Sequence, residues 1–290
     1  MRHLAIMLSL AAGTAQAAET KKVSAGTPSP TSTPEKGADS GAAKPVSTPK
    51  EKAATKVATP KAGETFSADQ ARDVIKTAEK IRSPEKAEIK VTLSTTSPEK
   101  KIKYEMKILR TTNRRGLVEF QAPELERGRY LLALQRNYYG KFRDAKGVVP
   151  ISRKEMIGDS LFSIFDLFQL DPDKDFVSKI LARENGPKGR QLKVEMVARP
   201  ETDAPYSRVI YYVEEKGYFP LGAEFYGESG KLLKKMVVKS REMLAGMVRG
   251  KQTRMTDEVV KGHESVWVND AMEEKDVPDS LFTQDYLRGL

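Results

Sequence analysis

The sequence predicts a mainly β fold with a few α-helices, in which about eleven antiparallel strands form one sheet that curls into an unclosed barrel. Segments with alternating apolar and polar residues follow one another at short spacing, and turn residues separate them. A sheet of that size twists and curls toward a barrel. Helices on its concave side would keep the barrel unclosed.

The distribution of aromatic residues confines the folded domain to residues 66–290. All ten Phe, all ten Tyr and the single Trp lie at or after Phe66. Residues 18–65 are rich in Pro, Thr, Ser, Ala and Lys, and they cannot bury enough apolar area to fold. We therefore expect a disordered linker over 18–65. It is either a plain spacer or a tether that adheres to anionic envelope polymers or lipid head groups.

The N-terminus has the features of a secretory signal peptide over residues 1–17. A basic start precedes an apolar run at 4–13, and Ala15 and Ala17 form an A-x-A cleavage site. The run is much shorter than the ~20 residues that a membrane-spanning helix needs. We expect a soluble protein that is exported to the bacterial periplasm.

The first predicted element of the domain is an amphipathic helix. Ser67 and Gln70 have the spacing of a capping box, and Pro84 ends the segment. Its apolar positions follow a helical stripe and require an apolar partner surface; they are Ala71, Val74, Ile75, Ala78 and Ile81.

Five strand-like segments follow the helix, and the first two form a predicted hairpin. In the second strand the even-numbered positions are apolar from Ile102 to Ile108, while the odd-numbered positions are charged. The five segments are 87–96, 101–110, 115–122, 128–136 and 137–144.

The middle of the chain, residues 148–171, lacks the two-residue period of a strand. We expect a short helix over 160–168 that is apolar nearly all round. Such a helix must be covered on more than one side or contact a ligand.

Seven strands and a short terminal helix complete the predicted domain. Pro220 lies inside one of these strands and indicates an edge position or a bulge. The terminal helix lies within 278–290, with Asp279 or Ser280 as its N-cap. The strands are 175–184, 190–199, 206–215, 218–227, 231–243, 247–257 and 262–272.

The composition gives no support for an enzyme or a metal site. The absence of Cys excludes disulfides, thiolate zinc sites and cysteine nucleophiles. His263 does not begin an HExxH motif, because position 267 is Trp, so we expect an exposed strand histidine. Asp171, Asp173 and Asp175 lack the Gly and Glu of a calcium loop, so we expect a solvated turn. We expect no cofactor, and no nucleic-acid motif is present.

Several segments together resemble the outer-membrane lipoprotein-sorting protein family, which contains the periplasmic lipoprotein carriers. The segment YFPLGAEFYGESGKLLKKM is similar to a hairpin of that family, and DSLFTQDYL resembles its C-terminus. In PISRKEMIGDSLFSIFDL the resemblance is carried by Met156, Gly158, Asp159, Phe162, Asp166 and Leu167. The resemblance implies an unclosed antiparallel barrel with helices as a lid over an apolar cavity, which holds lipid or the acyl chains of a lipoprotein.

This reasoning predicts a lipid-binding lid and a cavity wall, but no catalytic residue. The predicted lid residues are Leu161, Phe162, Ile164, Phe165 and Phe168. The predicted wall residues are Tyr104, Met106, Leu132, Leu134, Tyr211 and Phe225. We expect a monomer that binds a lipid or an acylated lipoprotein and meets an inner-membrane transporter.

Two alternatives remain open at this stage. One is a non-catalytic envelope interaction or sensing module, a filled barrel that docks on a membrane transporter or regulator. The resemblance supports this alternative too, because periplasmic regulators of sigma factors share the fold. The other alternative is an envelope hydrolase, which would require a nucleophile that the sequence does not display.

Overall fold

A computed structural model describes residues 66–168 and 171–290. The predicted signal peptide over 1–17 and the predicted linker over 18–65 lie outside the described residues. No helix within the described ranges is both long and apolar enough to cross a membrane.

Thirteen strands form a single antiparallel sheet, so the fold-class prediction is confirmed. All twelve predicted strand segments are present, and a further two-residue strand at Val149–Pro150 raises the total above the eleven or so expected. The strands are β1 (Ala87–Thr96), β2 (Lys101–Thr111), β3 (Arg115–Ala122), β4 (Tyr130–Leu134), β5 (Asn137–Lys141), β6 (Val149–Pro150), β7 (Phe176–Gly186), β8 (Gly189–Ala198), β9 (Arg208–Glu214), β10 (Pro220–Tyr226), β11 (Leu232–Leu244), β12 (Met247–Asp257) and β13 (Glu264–Glu274).

The sheet does not close into a barrel, because its two edge strands do not pair with each other. The spatial order is β6-β5-β4-β3-β2-β1-β13-β12-β11-β10-β9-β8-β7. The first and last strands of the chain, β1 and β13, therefore pair near the middle of the sheet. Every other neighbouring pair consists of strands that are consecutive in the chain. The segment between β6 and β7 thus connects the two edges of the sheet.

The predicted first helix is confirmed as α1 (Ala68–Arg82). Ser67 and Gln70 form the capping box, with Gln70 N donating to Ser67 Oγ over 3.1 Å. The apolar stripe of α1 packs on the concave face of the sheet, against β7, β10 and β12. At the C-terminal end, the Arg249 guanidinium of β12 donates to the carbonyl oxygens of Lys80 (2.7 Å) and Ile81 (2.8 Å). This contact satisfies carbonyls that the helix leaves unpaired.

The apolar segment of the insert between β6 and β7 forms less helix than predicted. Instead of a helix over 160–168, it contains the single turn α2 (Ile164–Leu167), and Leu161 and Phe162 precede the helix. Ser163 pairs with Met156 in an isolated antiparallel bridge and also caps α2. A second short helix, α3 (Pro172–Asp175), leads into β7. The high apolar content reflects burial on several sides and not helical continuity.

Two details of the second half of the chain differ from the expectation. Pro220 begins β10, an interior strand between β9 and β11, so the edge position is wrong. The register against β9 does shift between Pro220 and Gly222, which confirms the bulge. The C-terminal segment forms a 3₁₀ turn at Asp279–Leu281 followed by α4 (Gln284–Gly289), and Thr283, not Asp279 or Ser280, caps α4.

The fold has apolar cores on both faces of one part of the sheet. The larger core lies on the concave face and joins α1, the insert and most strands. A smaller core lies on the convex face of β2, β3 and β4, where the C-terminal segment covers it; it contains Leu109, Leu117, Leu132, Val277, Phe282 and Leu287.

Candidate functional site

The insert folds onto itself before it packs on the sheet. The amide of Ile157 donates to Phe162 O over 2.8 Å, and the amide of Phe165 donates to Arg153 O over 2.9 Å. The capping box of α2 links Ser163 and Asp166, with Ser163 N donating to Asp166 Oδ2 over 2.8 Å. These local bonds make residues 153–168 a compact unit, which we call the lid.

Hydrogen bonds attach the lid to three strands of the sheet. Asp159 N donates to Tyr104 Oη of β2 over 3.0 Å, and Leu161 N donates to Ser265 Oγ of β13 over 2.9 Å. Lys234 of β11 donates through Nζ to Leu161 O over 2.7 Å. Burial lowers the pKa of Lys234. The lid therefore spans the concave face from β2 to β11.

Gly158 allows the close approach of the lid to Tyr104. Its φ angle is +54°, and a Cβ at this position would lie 2.2 Å from Tyr104 Oη. A side chain at position 158 would both strain the backbone and displace the tyrosine.

Helix α1 also holds the lid, through Arg82. The Arg82 guanidinium donates to the lid carbonyl oxygens of Asp166 (3.1 Å) and Phe168 (3.3 Å). It also pairs with Glu79 on the same helix, with Nη2 to Oε2 at 2.9 Å. Arg82 therefore joins two elements that cover the same concave face.

All five predicted lid residues are buried where the lid meets the sheet, at 5% exposure or less. The Phe162 ring lies 5.5 Å from the ring of Trp267, and the Phe165 ring lies 6.0 Å from that of Phe176. The Phe168 ring lies 5.6 Å from the ring of Tyr138. Leu161 and Ile164 are buried in the same core.

A cavity of about 110 Å³ lies between α1, the lid and the concave face of the sheet. The lid contributes Phe162, Phe165 and Leu167 to its lining. The apolar lining from the sheet includes Ile89, Ile108, Val209, Met236, Val238 and Met272. The single tryptophan, Trp267, also faces the cavity.

The predicted wall residues occupy three different environments. Tyr211 and Phe225 line the cavity. Tyr104 and Met106 belong to the same concave core but are not part of the cavity lining.

The expectation for Leu132 and Leu134 is wrong. Leu132 lies in the convex core, and Leu134 packs against that core beneath the C-terminal segment. Strand β4 is apolar on both faces because both faces are covered, so its pattern does not show which residues point toward the cavity.

Apart from Tyr211, the polar side chains at the cavity were not predicted from the sequence. Glu79, Arg82, Arg110, Asp166 and Tyr211 all contribute to the lining. Arg110 is 6% exposed, and burial, together with the charge of Arg82, lowers its pKa to about 10. A signal for Arg110 was present in the sequence, because it continues the inward-facing even positions of β2.

The surroundings of the residues considered for catalysis and metal binding differ from those expected. His263 lies just before β13, not within a strand, and its Nδ1 is 3.5 Å from Asp257 Oδ2. Asp171 and Asp175 are buried, so the solvated-turn expectation is wrong for both. Asp175 pairs with Arg153 (2.8 Å) and Arg136 (2.8 Å). Among the residues described, no group of three or more His, Cys, Asp or Glu side chains could hold a metal ion.

Solved structures place this covered half-barrel in the fold class of LolA-superfamily proteins. A LolA superfamily protein from Nitrosomonas europaea is 24% identical, with a TM-score of 0.68, and the match covers 74% of this chain and 98% of that protein. A domain from Vibrio parahaemolyticus that is described as an outer membrane lipoprotein-sorting protein is 17% identical, with a TM-score of 0.67 and coverage of 77% and 100%. A DUF1329 family protein from Desulfovibrio piger is 18% identical, with a TM-score of 0.66 and coverage of 76% and 98%. At these identities the similarity establishes the fold.

A sequence family model also matches the chain. A family model described as "Uncharacterized protein" matches residues 112–289, which is more than half of the chain, and the chain belongs to this family. The matched region includes the lid and every strand from β3 onward. No curated protein matches the sequence significantly.

Proposed function

We propose that this chain is a periplasmic carrier that holds an acyl chain of a lipid or lipoprotein in the cavity beneath the lid. The observation that carries the proposal is an apolar cavity on the concave face, closed by a lid that is attached through a few hydrogen bonds. The LolA-type fold supports it, as does the predicted signal peptide. No catalytic step is part of this function, and the protein acts as a monomer that exchanges cargo with an inner-membrane transporter.

The size of the cavity indicates that binding requires movement of the lid. A cavity of about 150 Å³ lined by aliphatic and aromatic side chains is large enough for benzene. The cavity of about 110 Å³ therefore accommodates only a few carbon atoms while the lid is closed. When the lid is displaced, a longer chain can replace the contacts of Phe162 and Phe165 with the sheet.

The expected driving force is burial of apolar ligand surface. At ~25 cal/mol per Å², burying roughly 300 Å² of an acyl chain contributes about 7 kcal/mol before the costs of association. Displacing the buried phenyl rings of the lid offsets part of this gain. Net affinity therefore depends on how much of the lid remains packed in the complex.

Native mass spectrometry of the full chain, purified from the periplasm without detergent, tests the proposal. A discrete added mass that extracts into organic solvent as lipid is the expected result. Phe165→Asp should abolish the added mass, because it places a charge in the apolar lining. Leu125→Asp is the matched control, since Leu125 is 90% exposed and distant in the sequence from the lid. Uptake that survives in a folded Phe165→Asp variant would contradict the role of the lid.

A docking or sensing module is the second candidate function. The small volume of the closed cavity favours it, because a filled half-barrel presents only its outer surface to a partner. An apo mass that remains unchanged after incubation with envelope lipids and with a triacylated peptide would support this candidate and exclude the carrier.

A further inference from the structure

Arg110 is a buried cation on the cavity side of the sheet. It follows Tyr104, Met106 and Ile108 on the inward face of β2, and it is 6% exposed. Its cross-strand neighbours are Ala87 of β1 and Gly116 of β3, neither of which can offer a polar side chain. Within residues 66–168 and 171–290, its guanidinium has no hydrogen bond or ion pair.

The charges nearest to Arg110 do not neutralise it. Glu79 attracts it, but the Glu79 carboxylate is held by the Arg82 guanidinium at 2.9 and 3.1 Å. The positive charge of Arg82 repels Arg110. A buried charge without a partner is unfavourable, so an anion that bound beside Arg110 would stabilise the site.

A second donor faces the same cavity. The Tyr211 hydroxyl is buried, and the Glu79 carboxylate is near enough to raise its pKa, but no hydrogen bond of regular geometry joins the hydroxyl to the residues described. Both Tyr211 and Arg110 line the cavity, and the charges of Glu79 and Arg82 influence the pKa values of both side chains. Buried donors normally find an acceptor, and a ligand that enters the cavity can supply one to the Arg110 guanidinium and a better placed one to the Tyr211 hydroxyl.

We propose that Arg110 and Tyr211 form an oxyanion subsite that binds the carboxylate of a single-chain fatty acid, with the alkyl tail along the apolar lining. The proposal rests on the proposed lipid-binding function and names its ligand class. A planar guanidinium matches the two oxygens of a carboxylate, and the phenol supplies a further donor. The Glu79 and Asp166 carboxylates that also line the cavity disfavour a dianion such as phosphate more strongly than a monoanion.

Intrinsic fluorescence of the full chain provides the test, because the single tryptophan, Trp267, lines the cavity. Dodecanoate and 1-dodecanol are titrated at about pH 8, where the acid is ionised. We expect the wild-type chain to bind dodecanoate at least about tenfold more tightly, the ratio expected for a charge-assisted hydrogen bond. Arg110→Met should reduce the ratio to about one while the dodecanol affinity is retained. Arg127→Met, which changes an exposed arginine, should leave the ratio unchanged.

Two further measurements separate the anion site from a structural role. Arg110→Met should unfold at the same temperature as the wild type or higher, because it removes an unpaired buried charge. Tyr211→Phe should lower the dodecanoate preference severalfold without altering dodecanol binding.

The possible failures are distinguishable. Equal binding of both ligands by the wild type, or a preference that survives in Arg110→Met, would overturn the anion site and leave the carrier function intact. Tighter binding of dodecyl phosphate than of dodecanoate would overturn the choice of a carboxylate. Binding of none of these ligands would overturn the carrier function together with the site.

Discussion

Replacing Arg82 with Met should loosen the lid without unfolding the domain. Arg82 donates to the carbonyl oxygens of Asp166 and Phe168 over 3.1 and 3.3 Å, and its side chain is 27% exposed. A hydrogen bond from a charged group contributes about 1.5–3 kcal/mol when it is well formed. Both bonds are long and partly solvated, so we expect the pair together to contribute roughly 1.5–3 kcal/mol to lid closure.

This energy corresponds to a roughly 10- to 150-fold increase in the population of the open lid. Hydrogen exchange at the Leu161 amide measures the increase, because that amide bonds to Ser265 Oγ across the boundary between lid and sheet. Protection at Leu161 should fall by the same factor, while amides in β1 and β2 keep their protection.

A matched set of variants separates the lid contacts from the ion pair. Arg82→Met also leaves the Glu79 carboxylate without its arginine partner, so the double variant with Glu79→Gln removes that charge. Lys80→Met changes an exposed cation on the same helix and should have no effect. Unchanged protection of Leu161 in both Arg82 variants would refute the conclusion that Arg82 holds the lid.

Three further predictions concern packing, alkaline pH and the buried ion pair. Gly116→Ala should lower the free energy of unfolding by about 1–3 kcal/mol, because the new Cβ would lie 2.6 Å from Phe168 Cε1. Chemical denaturation should show that adding Phe168→Leu restores part of this free energy. Burial, and then the charge of Glu79, raises the pKa of Tyr211, so the folded state keeps a proton that the unfolded chain loses above about pH 10. The stability that Tyr211 contributes is present below that pH and declines as pH rises. Chemical denaturation at a series of pH values should therefore show that the free energy of unfolding of Tyr211→Phe, relative to that of the wild type, increases by about 1.4 kcal/mol between roughly pH 9 and pH 11. Arg153→Met should lower the stability measured by thermal unfolding by about 1.5–3 kcal/mol, because it removes one buried pair of Asp175 while Arg136 still pairs with that carboxylate at 2.8 Å. Arg153→Met combined with Arg136→Met should cost more than the sum of the two single changes, because it leaves the buried Asp175 carboxylate without either arginine.

The sequence predicted the sheet well where one face of a strand is apolar and the other is charged. Strand β2 alternates in this way, and its predicted bounds of 101–110 differ from the observed Lys101–Thr111 by one residue. The capping box at Ser67 and Gln70 likewise predicted the start of α1, because a cap is a local interaction.

Prediction failed where burial occurs on both sides of the chain. Strand β4 is covered on both faces, so its pattern does not show that Leu132 points away from the lid. The lid is apolar for the same reason, and its composition predicts a longer helix than α2. Neither tertiary environment is encoded in local periodicity.

Apart from Tyr211, which is a predicted wall residue, the polar part of the site could not be predicted because it depends on distant segments. Glu79 and Arg82 on α1 meet Arg110 of β2 and Tyr211 of β9 only after the sheet has curled. The inward position of Arg110 was visible in the strand pattern, but its lack of a partner was not. The solvated turn predicted for Asp171 and Asp175 is wrong for a related reason, since their arginine partners come from other parts of the chain.

The connection between β6 and β7 makes the curvature of the sheet dependent on the length of one segment. These strands are the two free edges, and the lid, which belongs to the segment that links them, packs on the concave side. Shortening this segment would bring the two edges closer together, and lengthening it would let them move apart. A change in the length of this segment would then alter the separation of the edges without any change in the strands. If the chain is the carrier proposed above, insertion of a few glycines there should let it take larger ligands.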